Sequence, residues 1–498
     1  METVQSLTNR LSYKPSKYQI DIWEFVVNGK GNGIIEAVAG SGKTSTIVDA
    51  LSLIPSDKKV IYFAFNKAIV EELSKRVPQR QTLQVKTLHG FGFGCIRSKI
   101  KNVKLDDRKV TKVISVLIKE WEEEYEYGQR VKKLVDLLRN NLIETEGELR
   151  QEGLRHNIEL MNNECGRAFE VLELLKNSPY EIDFCDMVYE PAAHDYTIPY
   201  YDFVFIDECQ DLNRAQQELV KKAAGKFGRI IAVGDPHQAI YGFAGADVNS
   251  FNRLADMPNT TKLPLSVNYR CGAAIAKLAI EMVPEFEAWE HAKEGEVDYK
   301  AKKDSIVGGD MVLCRNTAPL VKLCFEFLRE EKKAYVKGAD IGKGLTRWCN
   351  KSKTNKIDEL WRYFDSELEK ILHLLRNRNI GASEEELREM MQYVLMHARV
   401  ETIKVIAASG NCQTVFEIVE KIKTIFKDSA EGICLSTIHK AKGLECKRVF
   451  IIDKFLMPSK YAKQQWQKDQ ETNIEYVAYT RAKDYLGFVN DWSYKRIG

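Results

Sequence analysis

The sequence predicts an α/β protein with two parallel-sheet domains, each interrupted by a helical insertion. At 498 residues the chain is too long for one ordinary domain, and two to four are expected. Short apolar runs followed by helical periodicity recur in both halves of the chain. Two long stretches, 96–180 and 343–428, carry helical periodicity alone. A parallel sheet wound with helices and broken once by an insertion accounts for each half.

The first half opens with "NGIIEAVAGSGKTSTIVDAL" (32–51), an apolar strand, a small-residue loop and a helix. "KKVIYFAFNKAIVEEL" (58–73) repeats strand and helix, and "LQVKTLHGFG" (83–92) adds a strand. Residues 96–180, including "VTKVISVLIKEWEEEYEY" and "CGRAFEVLELLKN", read as charged amphipathic helices. Strands return at "YDFVFIDE" (201–208) and "GRIIAVGD" (228–235). In the second half, "DMVLCRNT" (310–317) and "AYVKGA" (334–339) read as strands, and "GICLSTIHKAKGLECKRVFIID" (432–453) holds two more. Within the second insertion, "SEEELREMMQYVLMHA" starts at a Ser383/Glu386 capping box. Leu387, Met390, Met391, Val394 and Leu395 continue at the spacing of one helix.

Composition narrows the class. Hydrophobic residues make up 44% and charged residues 29%, the balance of a globular protein with ample core. No apolar run reaches the ~18 residues of a membrane span. The opening "METVQSLTNR" lacks the apolar stretch of a secretory signal, so a cytoplasmic location is expected. Eleven scattered cysteines without a C-x-x-C pair read as reduced, buried thiols rather than a zinc or iron–sulfur site. The net charge of +3 says little, because a nucleic-acid binder needs basic residues along only one groove.

"AVAGSGKT" (37–44) fits a phosphate-binding loop, with Ala37 where the strict pattern has glycine. Small residues let the backbone N–H groups of Ala39, Gly40, Ser41 and Gly42 curl round phosphates, and the next helix, starting through Lys43, Thr44 and Ser45, aims its positive end at them. Lys43 would reach the β- and γ-phosphates, and Thr44 would hold Mg²⁺. "FVFIDECQD" (203–211) is the matching acidic strand end: Asp207 would hold Mg²⁺ through water and Glu208 would act as general base on the attacking water. Gln19, in "KPSKYQIDIW", has a two-sided amide able to read an adenine edge, although taken by itself it reads first as a surface glutamine. "VGDPHQAIYGFAGAD" (233–247) sets Gln238 at a strand edge with Tyr241 and Phe243 on the next turn. "LSVNYRCG" offers Tyr269 and Arg270, and "EYVAYTRAKDYL" offers Arg481.

In order, the chain carries Y-Q, A-G-S-G-K-T, A-F-N-K, T-L-H-G, D-E-C-Q-D, G-D-P-H-Q-A-I-Y-G-F, N-Y-R, S-T-I-H-K-A-K-G-L-E and Y-V-A-Y-T-R-A. This set resembles the UvrD/Rep/PcrA type of superfamily-1 DNA helicase, and "GDPHQAIY" and "AFNKA" look closest to its F-box DNA helicase branch, in the motor portion only. The resemblance implies two RecA-like domains with ATP between them: domain 1A at 1–95 and 181–262, insert 1B at 96–180, domain 2A at 263–342 and 429–498, and a short insert 2B at 343–428. It implies that Gln19 recognises adenine, Tyr269 stacks on it and Glu445 contacts the ribose. Gln238 would sense the γ-phosphate, and Arg270 and Arg481 would be arginine fingers. Asn66, Thr87, His89, Tyr241, Phe243 and His439 would contact single-stranded DNA. ATP and Mg²⁺ are the implied cofactors. The implied partners are single-stranded DNA, duplex with a single-stranded tail, and replication or repair proteins, met by a monomeric or weakly associating chain with no membrane contact. Travel would run 3′ to 5′.

Many relatives of this type carry Trp-Arg where this chain has Phe243-Ala244, so the grip on the strand is expected to be looser or supplied elsewhere. A translocase that displaces proteins without processive unwinding uses the same residues. A catalytically weak scaffold is the reading from another class, and the intact Lys43, Asp207, Glu208 and Arg270 argue against it.

Overall fold

The computed structural model describes residues 3–120, 125–156, 158, 160, 163–242, 249–378 and 381–494. The chain divides into two units, Met1–Val267 and Asn268–Gly498.

In the first unit, strands β1 (Asn32–Ala37), β2 (Val60–Phe63) and β3 (Leu83–Lys86) precede the helical insertion. A two-stranded parallel pair, β4 (Lys104–Leu105) and β5 (Glu181–Ile182), brackets most of that insertion. Strands β6 (Phe203–Ile206), β7 (Arg229–Gly234) and β8 (Thr260–Leu265) complete a parallel six-stranded sheet in the order β3-β2-β6-β7-β1-β8. Helices cover both faces, which is why its central strands are apolar without alternation. In β2, Val60 and Tyr62 pack with Ile35, Ile47 and Phe205, whereas Ile61 and Phe63 pack with Ile34, Val204 and Leu219. The insertion has its own core, in which Val110 and Ile114 meet Val131, Leu134, Leu138, Ala168 and Val171.

In the second unit, a short pair of β9 (Val267–Asn268) and β10 (Glu287–Ala288) precedes β11 (Glu296–Ala301), β12 (Met311–Cys314) and β13 (Ala334–Lys337). After the second insertion come β14 (Phe426–Lys427), β15 (Ile433–Thr437), β16 (Cys446–Ile451) and β17 (Ala482–Val489). They form a parallel seven-stranded sheet, β11-β17-β16-β12-β15-β13-β14. This insertion shares the sheet's core: Val312, Leu435 and Phe327 belong to one apolar cluster with Phe364, Ile403 and Ile418.

Two parallel α/β units with helical insertions match the expected class; the expected boundaries shift. Residue 96 falls inside the helix Leu88–Lys99, and residue 343 inside Ala339–Lys351. The limit at 262 cuts β8, whose register along β1 runs to Leu265. Compositional change marks where charge and periodicity alter, but an element ends where its hydrogen bonds end. The Ser383/Glu386 capping box forms, with Ser383 N–H donating to Glu386 Oε2 at 2.8 Å. The single helix expected after it does not. Glu384–Arg388 ends, Met390 is extended (ψ 140°), and a new helix runs Met391–Ser409, leaving Leu395 56% exposed. The eleven cysteines are all free and are buried or half-buried, as expected.

Candidate nucleotide and strand site

The phosphate loop joins β1 to the helix Lys43–Leu53. Gly40 (φ 67°) and Gly42 (φ 81°) take left-handed backbone, which turns the chain sharply enough to start a helix directly after a strand. A Cβ on Gly42 would meet nothing within 4 Å, so the position faces open space. No side chain caps this helix at Gly42, unlike the side-chain caps at Ser16, Asn66 and Thr87. Ala39 is fully buried, and Ser41 Oγ is buried with no hydrogen-bond partner. An uncapped helix start beside an orphaned hydroxyl suits an anion with several acceptor oxygens.

Lys43 Nζ lies 3.7 Å from Glu208 Oε1. Asp207, at the end of β6, is 5% exposed; it accepts from the Tyr62 hydroxyl at 3.1 Å and from Glu208 N–H at 2.9 Å. Burial, and then the adjacent Glu208 carboxylate, push Asp207 up to about 6. Burial and Asp207 push the Tyr62 hydroxyl well above its ordinary range. A buried carboxylate held unfavourably charged next to a second one fits a divalent cation, which would offset both charges. Thr44 and Asp207 are the residues that would hold Mg²⁺, and among the described residues no cluster of three or more His, Cys, Asp or Glu offers another metal site. Glu208 has left-handed backbone (φ 52°), a strained conformation for a non-glycine residue. Its Oε2 accepts from Gln210 Nε2 at 2.5 Å.

Gln238 is 5% exposed and donates to Asp235 Oδ2 at 2.6 Å, while Asp235 Oδ1 accepts from His237 N–H at 3.0 Å. Tyr241, three residues on, is half-buried. Phe243 lies outside the described residues.

Gln19 is buried rather than on the surface. Its oxygen accepts from Ser16 N–H at 2.9 Å in a capping box, and its nitrogen donates to Thr46 Oγ1 at 3.1 Å. The amide therefore ties its helix to the one that follows the phosphate loop. Ser45 Oγ accepts from Arg76 at 3.2 Å. Asn66 and Thr87 are N-caps: Asn66 Oδ1 takes Ile69 N–H at 2.9 Å, and Thr87 Oγ1 takes Gly90 N–H at 3.0 Å. His89 stands edge-on to Phe184, with ring centres 6.4 Å apart. Burial lowers its pKa.

In the second unit, Arg270 Nε donates to Glu445 Oε2 at 2.8 Å and Nη1 to the Thr480 carbonyl at 3.1 Å; Lys483 pairs with the same Glu445. Tyr269 is 36% exposed and meets Trp289 at 5.8 Å. Arg481 is 1% exposed. It donates to the carbonyls of Val477 (2.9 Å) and Leu444 (3.1 Å) and to Thr480 Oγ1 (3.1 Å). His439 is half-buried; desolvation, then the Arg315 and Lys442 cations, push it down to about 3.

The first unit thus brings Lys43, Asp207 and Glu208 together, and the second brings Arg270 and Glu445 together. Sequence reasoning passed over Tyr62, Gln210 and Asp235, whose partners lie far off in the chain or are buried. It also passed over Phe65 and Phe184, 50% and 54% exposed beside Asn66 and His89. Phe65 was detectable, since it lies two residues past the end of the fully buried strand β2.

Family comparison agrees with this geometry. The UvrD/REP helicase N-terminal domain matches residues 20–259 and the UvrD-like helicase C-terminal domain matches 321–490. F-box DNA helicase 1 of Gallus gallus is 26% identical over 503 aligned residues, covering 91% of this chain and 46% of the relative. F-box DNA helicase protein 1 of Schizosaccharomyces pombe is 28% identical over 269 residues, covering 49% and 30%. ATP-dependent DNA helicase PcrA of Bacillus subtilis is 26% identical over 288 residues, covering 52% and 38%. The aligned stretches thus span less than half the length of each of these relatives. With one family model on each half, the chain belongs to the UvrD/Rep family of helicases.

Proposed function

We propose that this chain is an ATP-dependent DNA helicase motor that hydrolyses Mg-ATP, moves 3′ to 5′ along single-stranded DNA and opens duplex from a single-stranded tail. The observation that carries this proposal is the meeting of Lys43 with Glu208 at 3.7 Å beside the buried Asp207, at a helix start with no side-chain cap. Lys43 and the loop backbone would hold the β- and γ-phosphates. Glu208, held by Gln210, would take the proton of the attacking water. The metal would neutralise charge on the phosphates. Arg270 and Arg481 are the proposed stabilisers of the transferred phosphoryl group, and Arg481 would have to do so while keeping its backbone partners.

Gln238 lies three residues from Tyr241, a reach of at most ~10 Å of extended chain, so a change at the phosphate sensor has a short path to a strand-contacting ring. Stacking contributes about 1–3 kcal/mol per base and tolerates any sequence. Separating a base-pair step costs roughly 1.4 kcal/mol. The relatives' names as DNA helicases support the substrate, and unpaired cysteines fit a reducing, intracellular setting.

ATP turnover measured with and without single-stranded DNA tests the coupling: stimulation is expected, and its absence refutes the motor. Lys43→Ala should abolish turnover. Unwinding of only a 5′-tailed duplex would overturn the polarity.

A further inference from the structure

Gln210 stands between the two groups that would face the γ-phosphate. Its Nε2 donates to Glu208 Oε2 at 2.5 Å, and its Oε1 accepts Asp235 N–H at 3.1 Å. Asp235 in turn fixes Gln238 Nε2 at 2.6 Å and caps the short turn Pro236–Gln238 through His237 N–H. Gln210, Asp235 and Gln238 are 2%, 1% and 5% exposed, so water does not loosen the chain of bonds. The neighbouring backbone has been kept clear for it. A Cβ on Gly234, the last residue of β7, would lie 2.5 Å from Gln210 Oε1 and 2.7 Å from Cys209 Sγ.

From this geometry we infer that Gln210 is a positioning residue that, through Asp235, holds the general base Glu208 and the sensor Gln238 at a fixed spacing as one unit. The inference rests on the nucleotide-hydrolysis reading above. An amide is the side chain the place requires. It donates to a carboxylate on one side and accepts a backbone N–H on the other, which neither Glu nor Leu can do together. Glu208 also sits on strained backbone, so its carboxylate needs an external partner to hold its aim. Misplacing a reacting group by about 1 Å costs on the order of 10²-fold in rate. Nucleotide grip through Lys43 and the loop does not pass through Gln210.

The test is a double-mutant cycle on steady-state ATP hydrolysis by the full chain with saturating single-stranded DNA, using Gln210→Leu, Asp235→Asn and the pair. Each single substitution is expected to lower kcat about 10- to 100-fold while KM for ATP changes less than about threefold. The double variant should fall no further than the worse single, because both cut one chain of bonds. Losses that multiply, or a loss confined to KM, overturn the inference. An inactive wild type overturns the hydrolysis reading and the inference with it, whereas an active wild type with multiplying losses overturns the inference alone. Thermal midpoints accompany each variant. If Gln210→Leu does not fold, Gln210→Met, closer in shape, takes its place in the cycle with the same criteria.

Discussion

Asp207→Asn should make the protein more stable while disabling its chemistry. The Asp207 carboxyl lies at about 6 against an ordinary 3.8, raised first by burial and then by Glu208. The folded protein therefore binds this proton more tightly than the unfolded chain. The group's contribution to stability is most unfavourable above pH 6 and recovers as pH falls through 6 toward 4. A shift of about two pH units corresponds to ~3 kcal/mol of strain in the charged form. Asparagine removes that charge and keeps its oxygen on Glu208 N–H. Its amide then faces the Tyr62 oxygen, leaving the buried Tyr62 O–H without an acceptor at a cost of ~1 kcal/mol. The net gain is about 2 kcal/mol, a rise of roughly 4–8 °C in a unit of this size. Thermal unfolding of both proteins without nucleotide at pH 7.5 measures it, and repetition at pH 5 should show the difference shrinking. A lower midpoint for the variant, or a difference unchanged by pH, would refute the burial argument. Added Mg-ADP should stabilise the wild type and the variant much less.

Three further outcomes follow from the same geometry. His439, pushed down to about 3, makes the folded protein resist protonation, so stability drains as pH falls below about 6.5. His439→Gln should be less acid-sensitive by ~2 kcal/mol at pH 5, measured as the change in midpoint between pH 7.5 and 5; parallel acid sensitivity refutes it. Arg481→Ala should destabilise the fold by at least ~3 kcal/mol, because a buried carbonyl, a half-buried one and the buried Thr480 hydroxyl lose a charged donor. Lost ATP turnover at an unchanged midpoint would show that Arg481 acts on the nucleotide alone. Gly42→Ala meets open space but keeps a left-handed φ of 81°. It should cost ~1 kcal/mol in stability and lower ATP affinity far more, as calorimetric titration would read. Equal ATP affinity would remove the phosphate from this loop.

Much of the site was legible because its chemistry is local. The run from Ala37 to Thr44 specifies strand, turn and helix within eight residues, since left-handed glycines and a helix start need only near neighbours. The apolar strand ahead of Asp207 likewise announces an acidic strand end. The capping box at Ser383 formed for the same reason, three residues apart.

Long-range partnership is where the sequence was silent. Gln19 by itself read as a surface residue, and the structure buries it with Ser16 and Thr46 sharing its amide. Arg481 was expected, from the resemblance, as an arginine finger, and its guanidinium is found donating to the carbonyls of Val477 and Leu444. The sequence by itself determined two parallel α/β units and the groups able to hold a nucleotide, because strand and helix periods and turn chemistry act over a few residues. Only the tertiary structure decided which carboxylate is raised, which arginine is committed, and that Gln210 links Glu208 to Asp235. Burial and hydrogen-bond partnership depend on what packs against a side chain, and those neighbours come from distant parts of the chain.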